Sequence, residues 1–130
     1  MIVLDASVLI AWLEVGHPFA AAATAILDTD EDLAVHPLTL AEVLVGAVRA
    51  DREALVREAL ERLGVQAWTP DADEPARLAR LRAGTGLKLP DCCVLDAAMM
   101  QRASVATFDE RLAACARGRG IILVAGEPAA

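Results

Sequence analysis

Four acids stand where an α/β chain could use them for chemistry. Asp5 closes the apolar run Met1-Ile-Val-Leu and passes directly into a helical stretch, Ala6 to Leu13. Asp109 closes Ser104-Val-Ala-Thr-Phe108 in the same way and opens a helix that runs to Ala116. Ligands of open α/β folds gather at the carboxyl ends of the strands, so both carboxylates are expected on one rim of the sheet. Helix N-capping is the alternative use of each Asp. Glu42 lies in Leu38-Thr-Leu-Ala-Glu-Val-Leu-Val45, with apolar residues on nearly every side of the helix. An ionised carboxylate there is costly without a partner. A cation is one such partner, and a capping box between Thr39 and Glu42 is the other reading. Asp91 follows Leu89-Pro90 at the head of an apolar helix, a position that the helix dipole favours on structural grounds alone. Asp96, five residues on, lies about 140° around that helix and is read as a surface or supporting residue facing away from the site.

Together the four acids would repel one another strongly without a counter-ion. A hard divalent cation relieves that repulsion, and an all-oxygen donor set with open positions selects Mg²⁺, with Mn²⁺ as a substitute. Such an ion lowers the pKa of its water and stabilises charge on a phosphate. Metal-assisted chemistry at a phosphate is therefore what this set could perform.

Bringing the acids to one rim requires alternating strands and helices. Strands are expected at Met1 to Asp5, Leu33 to His36, Val65 to Trp68, Ser104 to Phe108 and Ile121 to Val124. Between them the sequence predicts helices over Ala6 to Leu13, Phe19 to Leu27, Pro37 or Thr39 to about Ala50, and Asp51 to Leu63. The last of these carries Glu53/Arg57 and Glu58/Arg62 pairs and stops at Gly64. Another is expected to open at Thr69-Pro70-Asp71 and end near Gly84, followed by Pro90 to Ala103 and Asp109 to Ala116. This order predicts an α/β fold with a central, mostly parallel sheet of four to five short strands and helices on both faces, as one domain over residues 1–130.

Composition narrows the classes further. The chain of 130 residues is long enough to bury a core without disulfides or a structural metal. Its apolar residues are mostly Ala, Leu and Val, and the few aromatics, Trp12, Phe19, Trp68 and Phe108, are expected in the core rather than as a base-stacking platform. Apolar runs are too short to span a bilayer, and no signal-like segment is present, so a cytoplasmic protein is expected. Cys92, Cys93 and Cys115 lack the spacing of a disulfide framework or a zinc site and read as buried small hydrophobes. A net charge of -7 points away from binding nucleic acid by bulk charge, although a metal-dependent site needs carboxylates and its cation reverses their local effect. His17, in a turn, and His36, ending a strand, have no second His or Lys at a spacing that suits metal-free acid/base catalysis.

The order and setting of these residues resemble the PIN-domain family, and within it the VapC-like toxins of bacterial toxin-antitoxin pairs. The carriers span the whole chain: Ile2-Val-Leu-Asp5-Ala-Ser7, Thr39-Leu-Ala-Glu42-Val, Leu89-Pro-Asp91-Cys-Cys, and Ala106-Thr107-Phe-Asp109-Glu-Arg-Leu112. The resemblance implies a three-layer α/β/α fold, commonly a homodimer, and a metal-dependent endoribonuclease restrained by a small cognate antitoxin. By matching positions, Asp5, Glu42, Asp91 and Asp109 would form the catalytic, metal-holding cluster. Ser7 matches a small polar residue that either holds a water on the metal or caps the first helix. Thr107, in strand phase with Asp109, is expected to support the site. Asp96 departs from the pattern, since an apolar residue is expected there.

An RNA substrate would be held through its backbone, with Arg49, Arg52, Arg77, Arg80, Arg82 and Lys88 as candidates. Three other readings compete. A receiver-like Mg²⁺-binding signalling domain should carry an acidic pair after its first strand and a late Lys, whereas Ala6 and Ser7 follow Asp5 and Ile121 to Gly126 holds no Lys. A haloacid-dehalogenase phosphatase would want Asp where Ser7 stands, and no phosphate-binding glycine motif is present. A PIN-fold module that binds a partner without catalysis is the remaining alternative.

Overall fold

The computed structural model describes residues 1–124. Its elements are β1 (Ile2–Leu4), α1 (Ala6–Leu13), α2 (Ala20–Leu27), β2 (Leu33–Val35), α3 (Pro37–Arg49), α4 (Glu53–Leu63), β3 (Val65–Ala67), α5 (Glu74–Thr85), α6 (Leu89–Gln101), β4 (Ser104–Ala106), α7 (Glu110–Gly118) and β5 (Leu123–Val124). The strands form one five-stranded sheet in the order β3-β2-β1-β4-β5, with every pairing parallel.

Alternation along the short strands sorts the core into two layers. Ile2, Leu4, Leu33 and Val35 face one side and pack with Val8, Leu9, Ile26, Val43 and Leu60 of α1 to α4. Val3, Ala34 and Val105 face the other side and pack with Leu81, Leu95 and Leu112 of α5 to α7. The result is the expected three-layer α/β/α arrangement. Trp12, Phe19 and Phe108 pack against the first layer and Trp68 against the second, the use the sequence assigned to them. Among the described residues no helix is long and apolar enough to cross a membrane.

This topology fixes where a site must form. β1 and β4 are neighbours, yet the chain leaves them in opposite directions, from β1 toward β2 and from β4 toward β5. Their following helices, α1 and α7, lie on opposite faces of the sheet. Such a switch point leaves a crevice outside the carboxyl ends of the two strands.

Helix boundaries follow local chemistry. α4 stops at Gly64, which adopts φ 77 in the left-handed region, where glycine carries no Cβ penalty. Its Glu58–Arg62 pair forms, whereas Glu53 and Arg57 do not pair. α5 corrects the sequence reading, because it begins at Glu74 rather than at Thr69-Pro70-Asp71. Asp71 Oδ1 instead accepts from the Asp73 N–H at 2.9 Å, closing a turn that competes with helix. Pro75 supplies the early proline.

Candidate active site

Asp5 and Asp109 both emerge at the switch point, but their side chains are used differently. Asp109 is the N-cap of α7, and its Oδ1 accepts from the Leu112 N–H at 2.9 Å. Asp5 occupies the N-cap position of α1 without making a side-chain cap. Its Oδ2 accepts instead from the hydroxyls of Ser7 and Thr107, each at 2.7 Å. Those hydroxyls are themselves oriented. Ser7 Oγ accepts from the Phe108 N–H at 3.0 Å, and Thr107 Oγ1 accepts from the Asp109 N–H at 3.0 Å. Each hydroxyl is thereby left to donate its proton to Asp5. Ser7 sits inside α1 and so does not cap that helix.

Buried to 7% exposure, Asp5 is thus pinned from two directions through one oxygen. Asp109 likewise commits one oxygen to its helix. In each carboxylate the second oxygen has no protein partner among the described residues.

Glu42 and Asp91 complete the rim. Asp91 lies in the first turn of α6, half-buried. Its carboxyl is held above the usual range, first by burial, then by the charges of Asp5 and Asp109, with Lys88 and Arg111 opposing the rise. Glu42 is also raised, first by burial and then by Asp5 and Asp91. Asp5 and Asp109 thus lie close enough to act on Asp91, and Asp5 and Asp91 close enough to act on Glu42. They remain more widely spread than a closed coordination cage, since the three-ligand grouping with all ligand atoms within 4.8 Å is elsewhere among the described residues.

Two expectations about Glu42 are corrected. The capping box does not form, because α3 begins at Pro37 with His36 as its N-cap, which places Thr39 inside the helix. Glu42 is also exposed on α3 rather than enclosed by the helix's apolar residues, although it lines an apolar groove that partly desolvates its carboxyl. The misleading apolar residues, Leu38, Val45 and Val48, are themselves exposed. An apolar groove of about 410 Å³ between α1, α3 and α4 opens beside Glu42, lined by Ile10, Leu13, Val43, Ala47 and Val56, with Arg52 also at its wall.

Asp96 is not a surface residue. It is 3% exposed, and its two oxygens take Nε and Nη2 of Arg77 at 2.8 and 3.0 Å. Arg77 Nη1 goes to Asp71 at 2.9 Å. This clip commits the Arg77 guanidinium, which the sequence reading offered to RNA. Arg80 lines a separate cavity with Arg77, Asp96 and Arg119, and Arg82 donates to the Leu87 carbonyl at 2.7 Å. Lys88, by contrast, is coupled to Asp91. Arg49 and Arg52 are exposed at the α3–α4 junction.

Sequence reasoning missed two features. Arg111, two residues past Asp109, lies close enough to oppose the rise at Asp91; its place in the first turn of a rim helix was the available signal. The other is a buried trio of His36, Glu74 and Cys93, whose members are too far apart in sequence for ligand spacing to reveal. His36 Nδ1 accepts from the Leu38 N–H at 3.0 Å, which leaves the ring proton on Nε2, 3.1 Å from both Glu74 oxygens. With its Nε2 donating, His36 has no lone pair there for a metal. Burial pushes the Cys93 thiol up to about 12, so it stays protonated. The His36–Glu74 pair therefore pins the end of β2 to the start of α5, with Cys93 beside it. His17 similarly closes a turn, accepting from the Phe19 N–H at 3.0 Å.

Residues 2–118 match the family model of the PIN domain, and the chain belongs to that family. Solved structures extend the likeness over nearly the whole chain. A toxin-antitoxin complex from Klebsiella pneumoniae matches with TM-score 0.76 and 27% identity, covering 96% of this chain and 97% of that one. FitAcB from Neisseria gonorrhoeae matches with TM-score 0.70 and 22% identity over 96% and 97% of the two chains. VapBC2 from Rickettsia felis, bound to a DNA fragment from its promoter, matches with TM-score 0.69 and 15% identity over 95% and 98%. No curated protein sequence matches this chain. The resemblance to the PIN-domain family is thereby upheld, and the fold is shared with chains of solved toxin-antitoxin complexes.

Proposed function

We propose that this chain is a Mg²⁺-dependent endoribonuclease, with Mn²⁺ as a substitute ion, and the toxin of a toxin-antitoxin pair. The observation that carries the proposal is the gathering of carboxylates around the β1/β4 switch point, where the charges of Asp5 and Asp109 act on Asp91 and those of Asp5 and Asp91 act on Glu42. Carboxylates close enough to raise the proton affinity of Asp91 and Glu42 form a site in want of positive charge. Their donor set fits a hard divalent ion: all oxygen, with free oxygens on Asp5 and Asp109.

Asp5, Asp91 and Asp109 would hold the ion, with Glu42 helping to bind it or to orient water. Once bound, the ion neutralises the cluster and supplies Lewis-acid stabilisation of charge on the scissile phosphate. Ser7 and Thr107 fix the direction of the free Asp5 oxygen. Glu42, whose proton affinity is raised and whose side chain is open to solvent, is suited to accept a proton from the attacking water.

Partners follow from surfaces beside the rim. The apolar groove ending at Glu42 would take an apolar segment of a small antitoxin, which would cover the site it restrains. Leu38, Val45 and Val48 form an exposed stripe on α3 that a homodimer would bury. The protein would act in the cytoplasm as one domain. The test is cleavage of single-stranded RNA by the purified protein in Mg²⁺ and in chelator. Metal-dependent cuts support the reading, and intact RNA in both contradicts it.

A further inference from the structure

Positive charge is placed asymmetrically around the carboxylate rim. Arg111 stands in the first turn of α7, two residues after Asp109, and its Nη2 donates to the Gly86 carbonyl at 3.4 Å. That carbonyl belongs to the loop between α5 and α6, whose next residues are Leu87 and Lys88, and Lys88 is the N-cap of α6 three residues before Asp91. The contact therefore draws the guanidinium of one rim helix over the loop that leads into another. Gly86 turns the loop at this contact. Its φ is 72, and a Cβ built on it would lie 3.3 Å from Arg111 Nη2. Arg111 and Lys88 are both exposed, and neither has a carboxylate within ion-pair distance among the described residues.

An exposed guanidinium anchored through one nitrogen leaves its other N–H groups available to a ligand. Guanidinium groups match phosphate geometry, and a flanking ammonium adds a point charge. We infer that Arg111, with Lys88, forms a phosphate-holding flank on the Asp91 side of the rim, where it grips a backbone phosphate of the RNA strand beside the one that is cut. These are positioning residues: they set the register of the strand across the acids and do not touch the reacting atoms. The inference rests on the nuclease reading for its substrate, but it is tested by binding.

The experiment measures the Kd of a fluorescently labelled single-stranded RNA by anisotropy, across a salt series, alongside steady-state cleavage. Arg111→Gln is expected to raise Kd and KM about fivefold to tenfold, with kcat within about twofold. Losing one phosphate contact should also reduce the slope of log Kd against log salt by about 0.7. Gly86→Ala should displace Arg111 and act in the same direction, without adding to Arg111→Gln in the double variant. Arg57→Gln, exposed on α4 and outside the candidate RNA contacts, serves as the control and should change nothing. Unchanged Kd and salt slope in Arg111→Gln overturn the inference, even if the wild type cleaves. RNA binding that weakens in Arg111→Gln, in a wild type that never cleaves, supports this flank and overturns the nuclease reading. Absence of any RNA binding by the wild type overturns both.

Discussion

Thr107 Oγ1 donates to Asp5 Oδ2 at 2.7 Å, joining residues 102 apart in sequence at the ends of two neighbouring parallel strands. The same oxygen takes the Ser7 hydroxyl, and both hydroxyls are held by backbone N–H groups of the segment after β4. The direction in which Asp5 presents its free oxygen is thus set by the β1/β4 pairing itself. Asp5 is therefore oriented before any ion binds.

Thr107→Val tests that orientation. The substitution removes one donor to Asp5 and one acceptor from the Asp109 N–H. Loss of such a supporting hydrogen bond typically costs about 10–100-fold in metal affinity or activity. The Mg²⁺ concentration giving half-maximal cleavage should therefore rise by about that factor, while stability falls by about 1–3 kcal/mol from the unpaired groups. A Mg²⁺ titration and a urea melt on the same preparation separate the two effects. An unchanged Mg²⁺ requirement would show that Thr107 does not orient the acid.

Acid repulsion at the rim should appear as a pH-dependent stability in metal-free protein. The folded state holds the Asp91 proton above its ordinary value of 3.8, and that of Glu42 above 4.5. Stability from these groups is thus fully present below those ordinary values, and it is lost as pH rises through the raised folded ones. At neutral pH the ionised Asp91 works against the fold. Asp91→Asn should consequently melt roughly 2–4 °C above wild type at pH 7 in chelator, and the gap should close as pH falls toward 4. Mg²⁺ should reverse the order by stabilising wild type alone. Equal melting temperatures at pH 7 would count against the coupling.

The Arg77–Asp96 clip predicts a purely structural effect for a residue that sequence offers to RNA. Arg77→Ala strands a carboxylate that is 3% exposed, and an uncompensated buried charge is strongly destabilising. Denaturant midpoints should fall much further for Arg77→Ala than for Asp71→Ala. Arg77→Met with Asp96→Leu should recover most of the loss. RNA affinity of the folded Arg77→Ala protein should match wild type; a weaker affinity at equal foldedness would reassign the residue.

Sequence made the frame legible and left the pairings hidden. Short β-branched runs ending in Asp5 and preceding Asp109 marked the rim, because strand ends, acids and helix starts are local signals. The start of α5 was placed too early, since Thr69-Pro70-Asp71 has the composition of a helix beginning. The actual start was set by the Asp71 turn and by the burial of Glu74 against His36. Glu42 misled for a different reason: apolar residues on α3 face outward, a pattern that in sequence looks like core. Asp96 found its partner 19 residues away, and Ser7 found Phe108 101 residues away. Neither separation leaves a periodic trace.

Expression should also report the toxin reading. The wild-type chain is expected to arrest bacterial growth, and co-expression of a small, basic-tailed neighbouring protein should relieve the arrest. Growth unaffected by expression would argue against a toxin while leaving a nuclease possible.

The most direct measurement compares Mg²⁺- and Mn²⁺-dependent cleavage of single-stranded RNA by wild type, Asp5→Asn and Asp91→Asn, each shown to be folded by circular dichroism. The carboxylate site predicts cleavage by wild type that chelator abolishes, and a loss of at least about a hundredfold in both variants. Cleavage by Asp5→Asn and Asp91→Asn at the wild-type rate would contradict the assignment of the metal site. Intact RNA with folded wild type in either ion would leave a PIN fold that binds a partner without catalysis.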